Sequence, residues 1–310
     1  NFLDIITKID TLISDKTGTL TKGIFEVQEV NTTMEKDAFL KILSAIESHS
    51  THPVAQAVLR YNSTLTYPSP VDVEEIPGHG LKGNVEQQHV LAGNAKLMQK
   101  FSVAYPPELN NILDTIIIVA INQKYVGYVT VADAIKEDAT LMVQSLKELG
   151  IQTIMLSGDK SSITNKIAQE IGIAKSYGDL LPEDKVRIAT ELKNSGKRIA
   201  FVGDGINDAP VIALADIGIA MGGLGSDATI ETADVVIQND QPYKIVTAIK
   251  VGKITRQVVI QNITLAIVVK IIVLLLGAGG IATLWEAIFA DVGVSLLAIL
   301  NAYRIQYKNI

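Results

Sequence analysis

The run Asp15-Lys16-Thr17-Gly18-Thr19-Leu20-Thr21 follows directly on the apolar stretch from Ile9 to Ser14, and this junction constrains the fold more than any other part of the chain. A short apolar run that ends in a carboxylate and then a Gly- and Thr-rich turn predicts a buried strand feeding a polar loop. In a parallel sheet the carboxyl ends of the strands face the crevice where such folds bind ligands. Asp15 would project into that crevice. The hydroxyls and glycine amides beyond it can cradle a phosphoryl group while the carboxylate attacks, a recognised form of covalent catalysis.

Two more apolar runs end in polar loops. Ile151 to Leu156 leads into Ser157-Gly158-Asp159, and Arg198 to Val202 leads into Gly203-Asp204-Gly205-Ile206-Asn207-Asp208. Between them, Leu181-Pro182-Glu183-Asp184-Lys185 opens a helical stretch, with proline in the first turn where its missing N–H does no harm. Three strand ends and a lysine can therefore converge on one phosphoryl group, where positioning and electrostatics carry most of the catalysis.

The heptapeptide resembles the phosphorylation signature of P-type ATPases, cation pumps built on the haloacid dehalogenase-like fold. The resemblance implies an α/β Rossmannoid phosphorylation domain in which Asp15 is the nucleophile. It implies that Asp15, Asp204 and the backbone carbonyl of Thr17 hold Mg²⁺, and that Thr17, Ser157 and Gly158 contact phosphoryl oxygens. Lys185 would neutralise the charge developing there, with Asn207 and Asp208 supporting the site from behind. Ser157 stands where the family usually has Thr, which keeps the hydroxyl. Lys136 stands where it usually has Arg, which keeps only the charge, so no fork-like contact is expected of Lys136. Soluble phosphatases of the superfamily generally carry a second Asp two residues after the nucleophile. Thr17 cannot act as that acid and base, so an aspartyl phosphate should persist long enough to drive a conformational cycle.

Composition agrees with this placement. A chain of 310 residues is long enough for two or three domains, and its formal net charge of −6 offers no basic surface to nucleic acid. Hydrophobic residues make up 48% of it and the mean hydropathy is +0.29, an excess concentrated beyond about residue 257. With zero cysteines there is neither a disulfide framework nor a thiolate metal site in these residues. No signal peptide, internal repeat or low-complexity tract is visible. The abrupt start at Asn1-Phe2-Leu3, close to the first catalytic strand, suggests the C-terminal part of something longer.

From residue 23 to 124 the pattern changes to that of an inserted α+β module, leaving residues 1–22 and 125–250 as a discontinuous phosphorylation domain. Helical periodicity runs through Ala38 to Ile46, a second helix starts near Pro53, and extended pieces follow. The module contains Glu47-Ser48-His49-Ser50-Thr51-His52-Pro53 and Pro77-Gly78-His79-Gly80-Leu81-Lys82-Gly83. The second of these, taken alone, is no dinucleotide fingerprint. Together they resemble the Glu-x-x-Ser-x-His-Pro and Gly-x-Gly-x-x-Gly motifs of heavy-metal-transporting P-type pumps. By that resemblance Glu47, Ser50, His52, Gly78, Gly80 and Gly83 build an ATP pocket, with His52 beside adenine and Glu47 hydrogen-bonding at the nucleotide. His49, His79 and His89 are read as structural.

Residues 251–310 read as a transmembrane hairpin with helices at about 258–280 and 284–303, each long enough to span hydrocarbon. Lys250, Lys253 and Arg256 precede the first span, Arg304 and Lys308 follow the second, and the connection Gly277-Ala278-Gly279-Gly280 is uncharged. The positive-inside rule then puts both outer ends in the cytoplasm. Lys270 and Asp291 each lie ~15 Å from the connecting loop at helical rise and should meet near the midplane. Glu286 is nearer the edge, where a solvated role is expected. Gln261-Asn262-Ile263-Thr264 leading to Lys270, with Asp291-Val292-Gly293 on the next helix, resembles the last two membrane helices of zinc, cadmium and lead exporters. In that subgroup the aspartate helps bind the transported divalent ion and the lysine is its counterion.

The resemblance thus implies ATP-driven export of Zn²⁺, Cd²⁺ or Pb²⁺ by a multi-pass protein of the cell membrane, with cytoplasmic catalytic domains and Asp15 as the phosphorylated residue. It also implies an actuator domain, further membrane helices and Cys-Pro-Cys ligands that these residues do not contain. The alternatives are a soluble haloacid dehalogenase-like phosphatase and a non-catalytic nucleotide-binding membrane fragment.

Overall fold

Five successive buried residues, Thr11–Asp15, form an inner strand of a six-stranded sheet. In the computed structural model, which describes residues 2–222, 227–281 and 283–307, this strand pairs in parallel with Gln152–Leu156 on one side and Ile199–Gly203 on the other. Lys175–Tyr177 extends the first side, and Ile217–Met221 then Val235–Ile237 extend the second, all in parallel. Helices cover the sheet, so its strands read as almost continuous apolar runs rather than alternating ones. Ile13 lies opposite Ile154 and Phe201, and this trio packs with Ile188 and Val211 from the helices Pro182–Asn194 and Ala209–Leu214. Strand order reverses at Thr11–Asp15, the type of switch point that opens a crevice at the carboxyl ends.

The chain divides into two compact units, one of Asn1–Thr19, Glu137–Gly158 and Ala168–Ile310, the other of Leu20–Lys136 and Asp159–Ile167. The second unit is built on an antiparallel six-stranded sheet in the order Thr21–Thr32, Lys124–Ile135, Thr115–Ile121, Gln88–Gly93, Gly80–Val85 and Val71–Ile76. Its two layers of apolar packing follow from alternation along the strands. Val119 and Val129 face Phe39, Leu43 and Ile46 of the helix Lys36–Glu47, while Leu91 and Ile118 belong to a separate cluster with Leu97 and Met98 of the helix Ala95–Lys100. The insert reaches further than residues 23–124. Lys124–Ile135 pairs with both Thr21–Thr32 and Thr115–Ile121, and the Lys136 amide donates to the Leu20 carbonyl at 3.0 Å, so the two crossings of the chain are bonded side by side.

The first apolar span is the end of a single 36-residue helix, Tyr243–Ala278. The boundary read between residues 250 and 251 falls inside this helix, whose first half has its own packing: Ile245, Val246 and Ile249 are buried and the Tyr243 amide donates to Asp138 Oδ2 at 2.8 Å. A Cβ at Gly252 would lie 2.8 Å from Ile6 Cγ2, so the short helix Phe2–Ile6 rests directly on that glycine. Beyond Val258 the apolar side chains are exposed, as they are along the 20-residue helix Leu284–Tyr303, which has no buried residue. At ~1.5 Å per residue each is long enough for a ~30 Å hydrocarbon layer. Lys308 lies outside the described residues.

Phe39 is fully buried between helix and sheet. Phe39→Ala should cost the insert about 3–5 kcal/mol, seen by hydrogen exchange as lost protection of the strands Thr115–Ile121 and Lys124–Ile135 with little change in the strand Thr11–Asp15.

Candidate active site

Asp15 is the last residue of its strand and is 7% exposed, so its carboxyl group is held almost out of water. One cation meets it. Lys185, in the first turns of the helix Pro182–Asn194, places Nζ 2.5 Å from Asp15 Oδ1 and 2.8 Å from Asp208 Oδ1. Asp208 is 3% exposed and ends the short turn after the strand Ile199–Gly203. Asp204, one residue beyond that strand, completes a cluster in which carboxyl oxygens of Asp15, Asp204 and Asp208 all lie within 4.8 Å of one another. Three hard oxygen donors beside a solvent-reachable loop fit Mg²⁺, which keeps several waters and few protein ligands.

Burial pushes the Asp15 carboxyl up to about 7; the Asp208 charge adds to the rise, and Lys185 opposes it. Desolvation works against the Lys185 ammonium, but Asp15 and Asp208 together hold its pKa above the usual lysine value. The carboxylates of Asp15, Asp204 and Asp208 concentrate oxygen donors and negative charge at one point, a setting suited to a bound cation. Gly18 makes the cluster possible: it has φ +71°, and a Cβ there would fall 1.6 Å from Asp204 Oδ2.

The remaining phosphate-loop residues fall around this cluster in different ways. Asp15 pairs in register with Leu156, so Ser157 and Gly158 continue from the adjacent strand at the same end of the sheet. Ser157 is 2% exposed, its amide donating to the Tyr177 carbonyl and its carbonyl accepting from Leu180. Thr17 and Asn207 are exposed. Asp208 reaches the cluster through Lys185, whose Nζ donates to both Asp208 and Asp15.

A second site lies wholly inside the insert. Glu47, Ser50, His52, Gly78 and Gly80 line a cavity of about 270 Å³ together with Glu75 and Asn94. That is just below the ~300–1,000 Å³ range typical of ligand sites. The floor depends on two facing glycines: a Cβ at Gly80 would be 2.3 Å from the Ala92 carbonyl oxygen, and one at Gly93 would be 2.3 Å from that of His79. His52 caps the helix Pro53–Tyr61, with Nδ1 accepting from the Val54 amide at 3.3 Å, and the Ser50 hydroxyl accepts from the His52 amide at 3.2 Å. Asn94 Nδ2 donates to the Gly78 carbonyl at 2.9 Å and so ties the glycine turn to the next helix.

Gly83 departs from the expected set. It does not line the cavity; its missing side chain admits Val73, whose Cγ2 would be 3.0 Å from a Cβ there. Glu75, on an exposed strand position beside the glycine turn, was not recognisable as a site residue because an acid there reads as a solvated one. It matters to Glu47, whose carboxyl is raised to about 7 by burial, with the Glu75 charge adding to the rise.

In the hairpin, Lys270 Nζ stands 3.6 Å from Asp291 Oδ1, and both side chains line the same cleft between the two helices. Glu286 instead closes a capping box with Thr283 at the start of the second helix.

Residues 9–216 match the model of the haloacid dehalogenase-like hydrolases. The chain is 49% identical to the zinc-transporting ATPase of Synechocystis sp., over 98% of this chain and 43% of that protein. It is 47% identical to the cadmium, zinc and cobalt-transporting ATPase of Bacillus subtilis, over 98% of this chain and 44% of that protein. The crystal structure of a zinc-transporting PIB-type ATPase in the E2.Pi state superposes with a TM-score of 0.85 at 32% identity, covering 98% of this chain and 51% of that one. The chain therefore spans a little under half the length of these sequence relatives.

Because Glu47 is protonated up to a higher pH when folded than when unfolded, its contribution to the insert's stability is complete below about pH 4.5 and declines as pH rises through about 7. Denaturant midpoints measured from pH 4 to 8 should show this decline, and Glu47→Gln should flatten it.

Proposed function

Since the chain belongs to the haloacid dehalogenase-like hydrolase family and groups there with the P-type metal-transporting ATPases, we propose that it performs the phosphorylation half of an ATP-driven divalent-metal exporter and carries part of the ion path. The observation that carries the reading is Lys185 bridging Asp15 and Asp208 at the carboxyl end of the strand Thr11–Asp15.

The insert cavity takes the adenosine end of ATP, with Glu47 and His52 at its wall and the Gly78–Gly80 turn as its floor. A carboxylate oxygen of Asp15 attacks the γ-phosphorus; a bond forms between Asp15 and phosphorus, the bond to the β-phosphate oxygen breaks, and ADP leaves with that electron pair. Lys185 follows the charge that develops on the phosphoryl oxygens, because its ammonium already sits against the attacking group. Ser157, Gly158 and Thr17 supply donors around those oxygens, and Asp208 keeps Lys185 oriented. Asp15, Asp204 and the Thr17 carbonyl would hold Mg²⁺, which would supply further neutralisation of the phosphates. No carboxylate stands at position 17 to activate water, which leaves hydrolysis of the phosphoenzyme to a group outside this chain.

The hairpin carries the cargo step. The transported ion is a soft-to-borderline divalent cation, Zn²⁺ or Cd²⁺ or Pb²⁺, and Asp291 is one of its ligands. Lys270 is the counterion that occupies the site when the metal has gone, since a lone charge at that depth costs at least ~2.5–3.5 kcal/mol on insertion scales. Lys250, Lys253 and Arg256 before the first span and Arg304 after the second favour cytoplasmic catalytic units, in the cell membrane. The partners are the actuator and remaining membrane helices of the same pump.

Asp15→Asn in the full-length protein should abolish acid-stable, hydroxylamine-sensitive labelling from γ-labelled ATP and leave nucleotide binding intact; undiminished labelling would sink the assignment. Asp291→Asn should remove zinc- and cadmium-stimulated turnover while phosphoenzyme still forms from inorganic phosphate, whereas Lys270→Ala should keep metal binding and impair coupling. Turnover and metal titration of both variants check this, and normal zinc stimulation in Asp291→Asn would move the ion site elsewhere.

A further inference from the structure

Besides Lys270 and Asp291, the two membrane helices share a second polar junction nearer their outer ends. Asn262 Nδ2 donates to the Ala298 carbonyl at 3.1 Å, and Asn301 Nδ2 donates to Asn262 Oδ1 at 2.8 Å. Asn301 Nδ2 also reaches Gln261 Oε1 at 3.3 Å, and Arg304 Nη2 donates to the same oxygen at 3.3 Å. Asn262 and Asn301 are half-buried on a hairpin whose surface is otherwise mostly exposed.

Apart from Lys270 and Asp291, the cleft between these helices is lined by apolar side chains such as Val269, Val273, Ile288 and Val294, and apolar contact in lipid has little preference for one register over the next. A slip of one turn moves one helix ~5.4 Å past the other, enough to part Lys270 from Asp291. That pair cannot hold the register itself. At 3.6 Å it is longer than an ordinary hydrogen bond, and metal binding at Asp291 must break it. Counting along the helices, Lys270 is eight residues (~12 Å) from Asn262 and Asp291 is ten (~15 Å) from Asn301, so the polar junction sits two to three turns away on the same hairpin.

We propose that Gln261, Asn262, Asn301 and Arg304 form a register lock that keeps Lys270 level with Asp291 throughout the cycle, including the steps in which the two are apart. These are positioning residues. The geometry of the lock is independent of the transport reading, but its consequence for zinc rests on that reading.

The test uses the full-length protein in lipid nanodiscs with Ala266→Cys and Val294→Cys, positions that both line the cleft one turn from the charge pair. Cross-linked peptides are mapped by mass spectrometry, with Ala290→Cys and Ala298→Cys as reporters of a one-turn slip in either direction. Asn262→Leu with Asn301→Leu makes the helices more apolar and should not hinder insertion. It should lower the 266–294 cross-link about tenfold relative to the slipped ones and raise the zinc concentration for half-maximal turnover, with phosphoenzyme formation from inorganic phosphate unchanged. Asn301→Gln keeps an amide and should keep the parent pattern. An unchanged cross-link distribution in the double leucine variant overturns the lock, as does Asn301→Gln behaving like leucine. A parent protein that shows no zinc stimulation refutes the transport reading, while the cross-links still decide the lock.

Discussion

The ammonium group of Lys185, bridging two buried carboxylates, fixes the architecture of the larger unit. Lys185 lies between Asp15 and Asp208 with Asp204 alongside, and Asp15 and Asp208 are nearly out of water. Taking away one partner of such a buried pair costs about 3–5 kcal/mol, because the other charge is left uncompensated. The arrangement therefore requires two parallel strands and the start of a helix to end within a few ångströms of one another. A parallel sheet covered by helices meets that requirement, since every strand delivers its loop to the same edge. Gly18 meets it locally, because any side chain there would occupy the space of the Asp204 carboxylate.

The insert treats a buried carboxylate differently. Glu47 and Asp15 are both raised to about 7 by burial and by a neighbouring acid. Asp15 has Lys185 beside it, whose charge opposes the rise. Glu47 faces Glu75 across a cavity with no lysine or arginine in its lining, so it is poised to exchange a proton or a hydrogen bond with what enters. The same physical cause, removal from water, thus raises a carboxyl group in each unit.

The long helix Tyr243–Ala278 joins two solvents. Its first half packs on the phosphorylation unit through Ile245, Val246 and Ile249 and the glycine contact with Ile6, and its second half exposes Ile271, Leu274 and Leu275. Lys270 stands 18 residues beyond Gly252, ~27 Å along a continuous rod. The helix runs without a break between the packing at Gly252 and Lys270.

Local chemistry wrote much of this into the sequence. The strand ends at Asp15, Leu156 and Gly203 were legible because a buried parallel strand leaves a short apolar run, and a glycine- and acid-rich loop marks its end. The two apolar spans were legible because each run is as long as a helix needs to cross a hydrocarbon layer. Tertiary structure alone decided what partners what. It drew Asp208 onto Lys185, set Glu75 against Glu47, removed Gly83 from the cavity, carried the insert to Lys136 through strand pairing and ran the first membrane helix back to Tyr243. Sequence periodicity reports which face of an element is buried, but the partner of a charged side chain or the far neighbour of a strand is chosen by register and packing among separate segments, 23 residues apart for Lys185 and Asp208 and 170 for Lys185 and Asp15.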